Sequence, residues 1–399
     1  MTLENQATLG LAMIMKNEAI NLSHSLAPLA GLVDEMVVVD TGSTDHSADI
    51  ARGLGARVLD FQWNNDFSAA RNFGLEAATT DFILWLDGDN SITPEGLADL
   101  RRHLIRGRDM ILWATEVVVP QGDRLWQKRV FPNNRQARFE GRIHEQLVNP
   151  ADWPAIATEV EIRHWGYAEP AAARQKGERN LELLLNCPET RRGEFYWLYQ
   201  TGRTLFNLRR FQEAAQWLSG ASSRPTENRP LMGHTLILLS QSQTRLGQHE
   251  EAESTARRLV DMEPGYGPGY YHLGKLLYDA GQGAEAGECL ETALILGTGD
   301  KVWGADQESH NFRAAFMLGR IWAGSGKPGP ARQAFRLARD MDPKNPEPAY
   351  AMAEMALADG DPTEARGHLK RVLELAPGHR RALDMWGRLA ADGGACGLA

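Results

Sequence analysis

Residues 87–90 read DGDN and follow the apolar run FILWL without a break. Asp87 and Asp89 stand at i and i+2 with a glycine between them, so both carboxylates can aim at one hard cation. Oxygen ligands of this kind suit Mg²⁺ or Mn²⁺, and such an ion can in turn bridge a diphosphate. A D-x-D pair taken alone is equally compatible with a solvated turn, so the elements around it decide what it is for.

Those elements alternate short apolar runs with helical patterns: LGLAMIM, NLSHSLAPLAG, EMVVVD, HSADIARGLG, ARVLDF, SAARNFGLEAA and DFILWLD. The order predicts β-α-β-α-β-α-β. Met36 to Val39 and Phe82 to Leu86 show no polar alternation, as in parallel strands covered on both faces. An α/β domain with a Rossmann-like, mostly parallel sheet follows, and such sheets bind ligands outside the carboxyl ends of their strands. Three polar groups fall there: Lys16-Asn17-Glu18, Asp40-Thr41-Gly42 and Asp87-Gly88-Asp89.

From about residue 190 the texture turns to Ala, Leu, Gly, Arg and Glu at helical spacing. A small residue and an alanine recur 12 apart in Gly202/Ala214, Ser240/Ala252, Gly274/Ala286, Gly319/Ala331 and Ala353/Ala365. The first members step by 38, 34, 45 and 34 residues, and a further 34 reaches Gly387. Pro264, Pro343 and Pro377 each stand 12 after their alanine, where a proline ends the second helix. The frame resembles tetratricopeptide repeats, whose period is 34. That likeness implies an all-α solenoid in which small anchors let the two helices of a hairpin approach and each hairpin buries its apolar face against the next. The 45-residue step contains GTGDKVWGADQ, which reads as a loop inserted between repeats three and four, and a capping helix is predicted from about residue 382.

MIMKNEAINL, VVVDTGSTDHSADIA, FSAARNFGLEAA and LWLDGD, in this order and spacing, resemble family-2 glycosyltransferases of the GT-A fold over roughly residues 8–100. FPNNRQARFEGRIHEQL and IRHWGY extend the likeness to about residue 167. The resemblance implies inverting transfer of a hexosyl or N-acetylhexosaminyl group from a nucleotide-diphosphate sugar, a UDP-sugar foremost, with Mn²⁺ or Mg²⁺. Carried over position by position, it gives Asp40 a hydrogen bond from the nucleobase and places Asn17 and Glu18 beside the ribose and base; the alternative for Asp40, Thr41, Ser43 and Asp45 is a turn with an N-cap. Arg71 in AARN would pair with the diphosphate, for which a guanidinium fork is suited. Asp89 would be the more direct metal ligand, Asp87 would be shared between ribose and metal, and His164 would be the third ligand or else a hydrogen-bonded structural histidine. Glu145 would take the acceptor's proton, with His144 positioning the acceptor or serving as the base instead. The Glu-Asp pair that supplies the base in many members is replaced here by His144-Glu145. Arg174, Lys176 and Arg179 fall where a lid would close over the donor.

These readings divide the chain into a transferase domain at 1–170, a linker helix at 171–194 and a repeat domain of about five repeats with a cap at 195–399. With 43 Lys and Arg against 52 Asp and Glu, the net charge of −9 argues against a nucleic-acid footprint. Residues 101–142 run the other way, with ten Lys or Arg against four acids, a solvated face or a site for an anionic ligand. Cys187, Cys289 and Cys396 are three in number and widely spaced, which fits a reducing compartment and neither a disulfide framework nor a structural zinc site. The opening MTLENQATLG has no basic n-region, and no run approaches the roughly 18 apolar residues of a membrane span, so a cytoplasmic protein is predicted. The expected acceptor is a peptide or protein engaged by the repeats, with a lipopolysaccharide or other glycan as the alternative and a non-catalytic scaffold as the third reading. Phe195, Tyr196, Trp197 and Tyr199 either stack on a ligand or belong to the core. Oligomerisation is left open, a homo-oligomer included.

Overall fold

The computed structural model describes residues 7–119, 124–165, 170–186, 194–297 and 307–394. Cys187, Cys396, most of GTGDKVWGADQ and the Gly166-Tyr167 pair lie outside them. The chain falls into two compact units, Met1–Asn228 with Lys301–Ala305, and Arg229–Asp300 with Asp306–Ala399.

The N-terminal unit is built on an eight-stranded sheet. Its strands are β1 (Leu9–Met15), β2 (Glu35–Asp40), β3 (Arg57–Asp60), β4 (Phe82–Asp87), β5 (Asn90–Ile92), β6 (Ile111–Val118), β7 (Arg124–Pro132) and β10 (Ala155–His164), in the spatial order β3-β2-β1-β4-β7-β6-β10-β5. β8 (Arg138–Glu140) and β9 (Gln146–Val148) form a separate antiparallel pair. The four strands predicted from the alternating pattern run parallel, while β7 is antiparallel to both neighbours and β5 is antiparallel to β10. The sheet is covered on both faces, as its continuous apolar runs require. Leu9, Leu11, Met13 and Met15 of β1 enter one core with Phe82, Leu84 and Leu86 of β4, and Ala12 and Ile83 enter a second core with Phe131, Phe139 and Trp153.

Helices α1 (Leu22–Ser25), α2 (Ser47–Gly53), α3 (Phe67–Ala77) and α4 (Pro94–Arg102) punctuate the strands. Asp66 caps α3 by accepting from the Ala69 amide at 3.0 Å, and Thr93 caps α4 through the Gly96 amide at 3.1 Å, with Pro94 at the first helical position. Register brings the carboxyl ends of the strands to one edge: Met15 faces Asp40, and Ile14 faces Asp87.

α5 (Pro170–Leu185) and the hairpin of α6 (Phe195–Asn207) and α7 (Phe211–Ser222) complete this unit. A Cβ on Gly202 would lie 2.6 Å from Leu218 Cγ, so the two helices touch where the anchor is small. The aromatic group that opens α6 is largely core: Phe195, Trp197 and Tyr199 are buried, and the Trp197 indole donates to the Leu184 carbonyl at 2.9 Å.

The second unit is all-α, with hairpins α8 (Arg229–Arg245)/α9 (His249–Met262), α10 (Gly267–Asp279)/α11 (Gly283–Leu296), α12 (Gln307–Gly324)/α13 (Pro328–Met341) and α14 (Glu347–Ala358)/α15 (Pro362–Leu375), followed by α16 (Arg380–Gly394). Ala252, Ala286, Ala331 and Ala365 are all 0% exposed, and Ser240, which replaces glycine in its repeat, is buried and donates to the Ala252 carbonyl at 2.7 Å. Pro264, Pro343 and Pro377 each stand just beyond the end of the second helix of a hairpin. Neighbouring hairpins share cores: Ala256 of α9 packs with Leu273 and Leu277 of α10 and with Ala286 of α11. The architecture is therefore the one the sequence predicts, an α/β domain on a mostly parallel sheet followed by a helical repeat array. No helix among the described residues is long and apolar enough to cross a membrane.

Candidate functional site

Asp87 ends β4 and Asp89 follows after one glycine, at the edge where the register gathers Asp40 and the Asn17-Glu18 loop. The turn is pinned from the far side of the sheet. Asn90 pairs with His164 across β5 and β10, and the Trp165 amide donates to the Asp89 carbonyl at 2.9 Å. Gly88 must be small, because a Cβ there would lie 2.7 Å from Cγ of Glu18.

Arg71 on α3 ties the site together. Its Nη2 donates to Asp87 Oδ1 and its Nε to Glu145 Oε1, both at 2.6 Å, and its guanidinium lies over the rings of Trp85 and Phe139 at 4.6 and 5.2 Å. The side chain is 8% exposed. Burial opposes its charge, but Asp87 and Glu145 outweigh that and hold its pKa above the ordinary guanidinium value. Burial likewise pushes Asp87 up, and Arg71 and then Arg129 prevail and hold it below the usual carboxylate range. The fork expected on a diphosphate is thus engaged by two carboxylates, one at each side of the edge.

Asp89 is buried, with Oδ2 receiving a hydrogen bond from Lys176 Nζ at 3.0 Å. Its Oδ1 is buried and accepts no hydrogen bond. His164 Nδ1 lies 3.8 Å from that oxygen and 3.5 Å from Glu116 Oε1. Asn90 Oδ1 accepts from the Asp87 amide and from Arg129 Nη1, which turns its amide nitrogen toward His164 Nδ1 at 2.9 Å. Nδ1 must then accept, and its lone pair is occupied. No cluster of three His, Cys, Asp or Glu side chains suited to a metal occurs among the described residues. What does fit a cation is the orphaned Asp89 Oδ1, since Mg²⁺ and Mn²⁺ sites commonly take one or two carboxylates and leave the remaining positions to phosphates and water.

The loops that carry Asp40 and Asn17-Glu18 are fastened to each other. Asp40 Oδ1 accepts from the amides of Gly42 and Ser43 at 3.2 and 2.8 Å, the turn that the sequence offered as the alternative to a base contact. Asn17, at φ 57°, donates its amide to Ser43 Oγ and accepts from the Thr44 amide at 2.8 Å, and asparagine tolerates this left-handed backbone better than most residues. The Glu18 amide donates to Ser47 Oγ at 2.7 Å, and burial raises the Glu18 carboxyl above its ordinary pKa.

Glu145 and His144 sit on the loop between β8 and β9. His144 has φ 51°, its Nε2 is buried and accepts or donates no hydrogen bond, and burial together with the nearby Arg203 lowers its pKa to about 3. Such an imidazole stays neutral at physiological pH and is a weak base. Asn72 holds this hairpin to α3 by exchanging two 2.9 Å hydrogen bonds with the Phe139 backbone.

Lys176, expected in a lid, is placed on α5 against Asp89, while Arg179 lies over the Phe67 ring at 5.5 Å. Ion pairs of the described residues take up half of the ten basic side chains in the stretch 101–142: Arg101 with Asp34, Arg102 with Asp99, Arg106 with Asp81, Arg129 with Glu116 and Arg138 with Glu140. Glu116 and Arg129, two of the charges counted in the 101–142 stretch, belong neither to a solvated face nor to an open anion site: they are fully or nearly buried and paired with each other. The available signal was a charged residue inside an apolar strand, in ILWATEVV and in QKRVF.

Residues 11–158 match the family model for glycosyl transferase family 2, and residues 233–258, 271–346 and 323–389 match tetratricopeptide repeat models. The chain joins a family-2 glycosyltransferase domain to tetratricopeptide repeats. A TPR repeat-containing protein of Synechococcus elongatus is 31% identical to it over 229 residues, 53% of this chain and 56% of that protein. The SPbeta prophage-derived glycosyltransferase SunS of Bacillus subtilis is 26% identical over 227 residues, 53% of this chain and 52% of that protein. The chain thus spans about half the length of the curated relatives it matches. Among solved structures, YrrB, a TPR protein with an unusual peptide-binding site, aligns at 16% identity with a TM-score of 0.41, covering 51% of this chain and 97% of that one. In the transferase domain the matched stretch contains every singled-out residue except His164.

Proposed function

We propose that the protein transfers a sugar, with inversion, from a nucleotide-diphosphate donor to a peptide or protein acceptor. The observation that carries this reading is the chain Glu145–Arg71–Asp87 at the carboxyl edge of the sheet, with the orphaned Asp89 Oδ1 beside it. Asp89 would hold Mg²⁺ or Mn²⁺, whose charge offsets that developing on the departing diphosphate. Asp40 and the Asn17-Glu18 loop are preformed at the nucleotide end, and Arg71 fixes the spacing between Asp87 on the donor side and Glu145 on the acceptor side. Glu145 takes the proton from the acceptor's nucleophilic atom as that atom bonds to the anomeric carbon and the carbon–oxygen bond to the diphosphate breaks. His144, kept neutral and weakly basic by its burial, leaves the base role to Glu145.

The tetratricopeptide array is a protein-interaction scaffold whose concave face suits an extended chain, and this supports a peptide or protein acceptor over a glycan. The transferase domain with its acidic turn speaks against a purely scaffolding role. The test is hydrolysis of a panel of UDP-, GDP-, CDP- and dTDP-sugars, with water as the acceptor. Glu145→Gln is expected to lower turnover of the preferred donor by about 10²–10⁴-fold while leaving nucleotide affinity in place. Wild-type turnover in that variant would remove Glu145 from the base role.

A further inference from the structure

The loop that carries Glu145 is held from two directions. On one side α3 fastens its first half: the Phe67 amide donates to the Arg142 carbonyl at 2.9 Å, and the Ser68 hydroxyl donates to the Gly141 carbonyl. On the other side stands a residue of the first repeat helix. Tyr196 Oη, in the opening turn of α6, donates to the His144 carbonyl at 3.2 Å and accepts from Gln146 Nε2 at 2.7 Å. One phenol therefore binds the residue before Glu145 and the residue after it. The backbone between them needs such a hold, because His144 is at φ 51° and Gly141 at φ 104°, a pair of left-handed residues that gives the loop no regular ladder of its own. Burial pushes the Tyr196 hydroxyl up to about 12, so it remains a proton donor to the carbonyl throughout the working range.

We infer that Tyr196 is a positioning residue for the reaction: through the backbone of His144 and the side chain of Gln146 it sets where the Glu145 carboxylate stands, opposite the hold that Arg71 exerts on the same carboxylate. The first repeat helix is then a working wall of the transferase site. This rests on the reading of Glu145 as base given above.

Tyr196→Phe removes the hydroxyl and keeps the ring, so packing is preserved. With the donor that wild type hydrolyses fastest, the variant is expected to lose about tenfold in kcat with KM for the donor within twofold, and the acid limb of its kcat–pH profile is expected to shift. In a Glu145→Gln background the same change should cost nothing further, because Tyr196 acts through Glu145. Amide exchange of residues 141–148 should accelerate at least about tenfold while that of α3 is unchanged. Unchanged kcat with unchanged exchange overturns the inference, and so does an equal loss in the Glu145→Gln background, which marks a merely structural role. If Tyr196→Phe is silent while Glu145→Gln is crippled, the positioning role alone fails. If wild type hydrolyses no donor in the panel, or Glu145→Gln is fully active, the base reading fails and Tyr196 falls with it.

Discussion

At the scale of single residues, the site is a set of buried charges that make sense only together. Arg71 neutralises two carboxylates that approach it from segments 16 and 74 positions away in the chain. Breaking such a pair strands a buried charge, at a cost of about 3–5 kcal/mol. The sequence names Arg71, Asp87 and Glu145 because each sits in a short motif, AARN, DGDN and GRIHEQL. It does not show that they touch, since nothing in local pattern encodes a contact across 74 residues. The same holds for Lys176 on Asp89 Oδ2 and for Asn90 on His164, contacts across 87 and 74 positions that no local motif encodes. His144 offers a test independent of activity. Its native pKa of about 3 lies below the unfolded value near 6.5, so the unfolded chain binds more protons across that window and stability is lost as pH falls through it. His144→Asn, which suits the left-handed backbone, should reduce the slope of unfolding free energy between pH 3 and 6.5 by up to about 1.4 kcal/mol per pH unit. Urea titrations at several pH values check this, and parallel slopes for the two proteins would contradict the burial of a neutral imidazole.

At the scale of elements, periodicity carried most of the fold. The parallel strands are legible because burial on both faces leaves unbroken apolar runs, and the repeat helices because helix contact demands a small residue at a fixed interval. The antiparallel insertion of β7 and the pairing of β5 with β10 are not legible: an apolar run records burial but not which neighbour it will meet. Two glycines make the helix-contact argument quantitative. A Cβ on Gly319 would fall inside contact distance of the Phe335 ring, whereas one on Gly367 of α15 meets nothing within 4 Å. Gly319→Ala is therefore expected to destabilise by about 1–3 kcal/mol through overpacking. Gly367→Ala, the same chemical change on an open helix surface, is expected to stabilise by about 0.5–1 kcal/mol. Denaturant unfolding of the two variants reads both signs, and a shared sign would show that backbone propensity rather than close approach governs the anchors.

At the scale of the whole molecule, a family-2 glycosyltransferase domain and tetratricopeptide repeats lie in one chain, and the central claim is that the carboxyl edge of the sheet is a working, cation-assisted nucleotide site. The most direct measurement is calorimetric titration of the full chain with UDP, GDP, CDP and dTDP, in Mn²⁺ and in chelator, for wild type and for Asp89→Ala. One nucleotide should bind wild type in Mn²⁺, and either chelator or Asp89→Ala should weaken that binding at least about tenfold, with circular dichroism confirming that the variant is folded. Absence of binding by any of the four nucleotides to folded wild type, or an affinity indifferent to both the ion and Asp89, would contradict the claim.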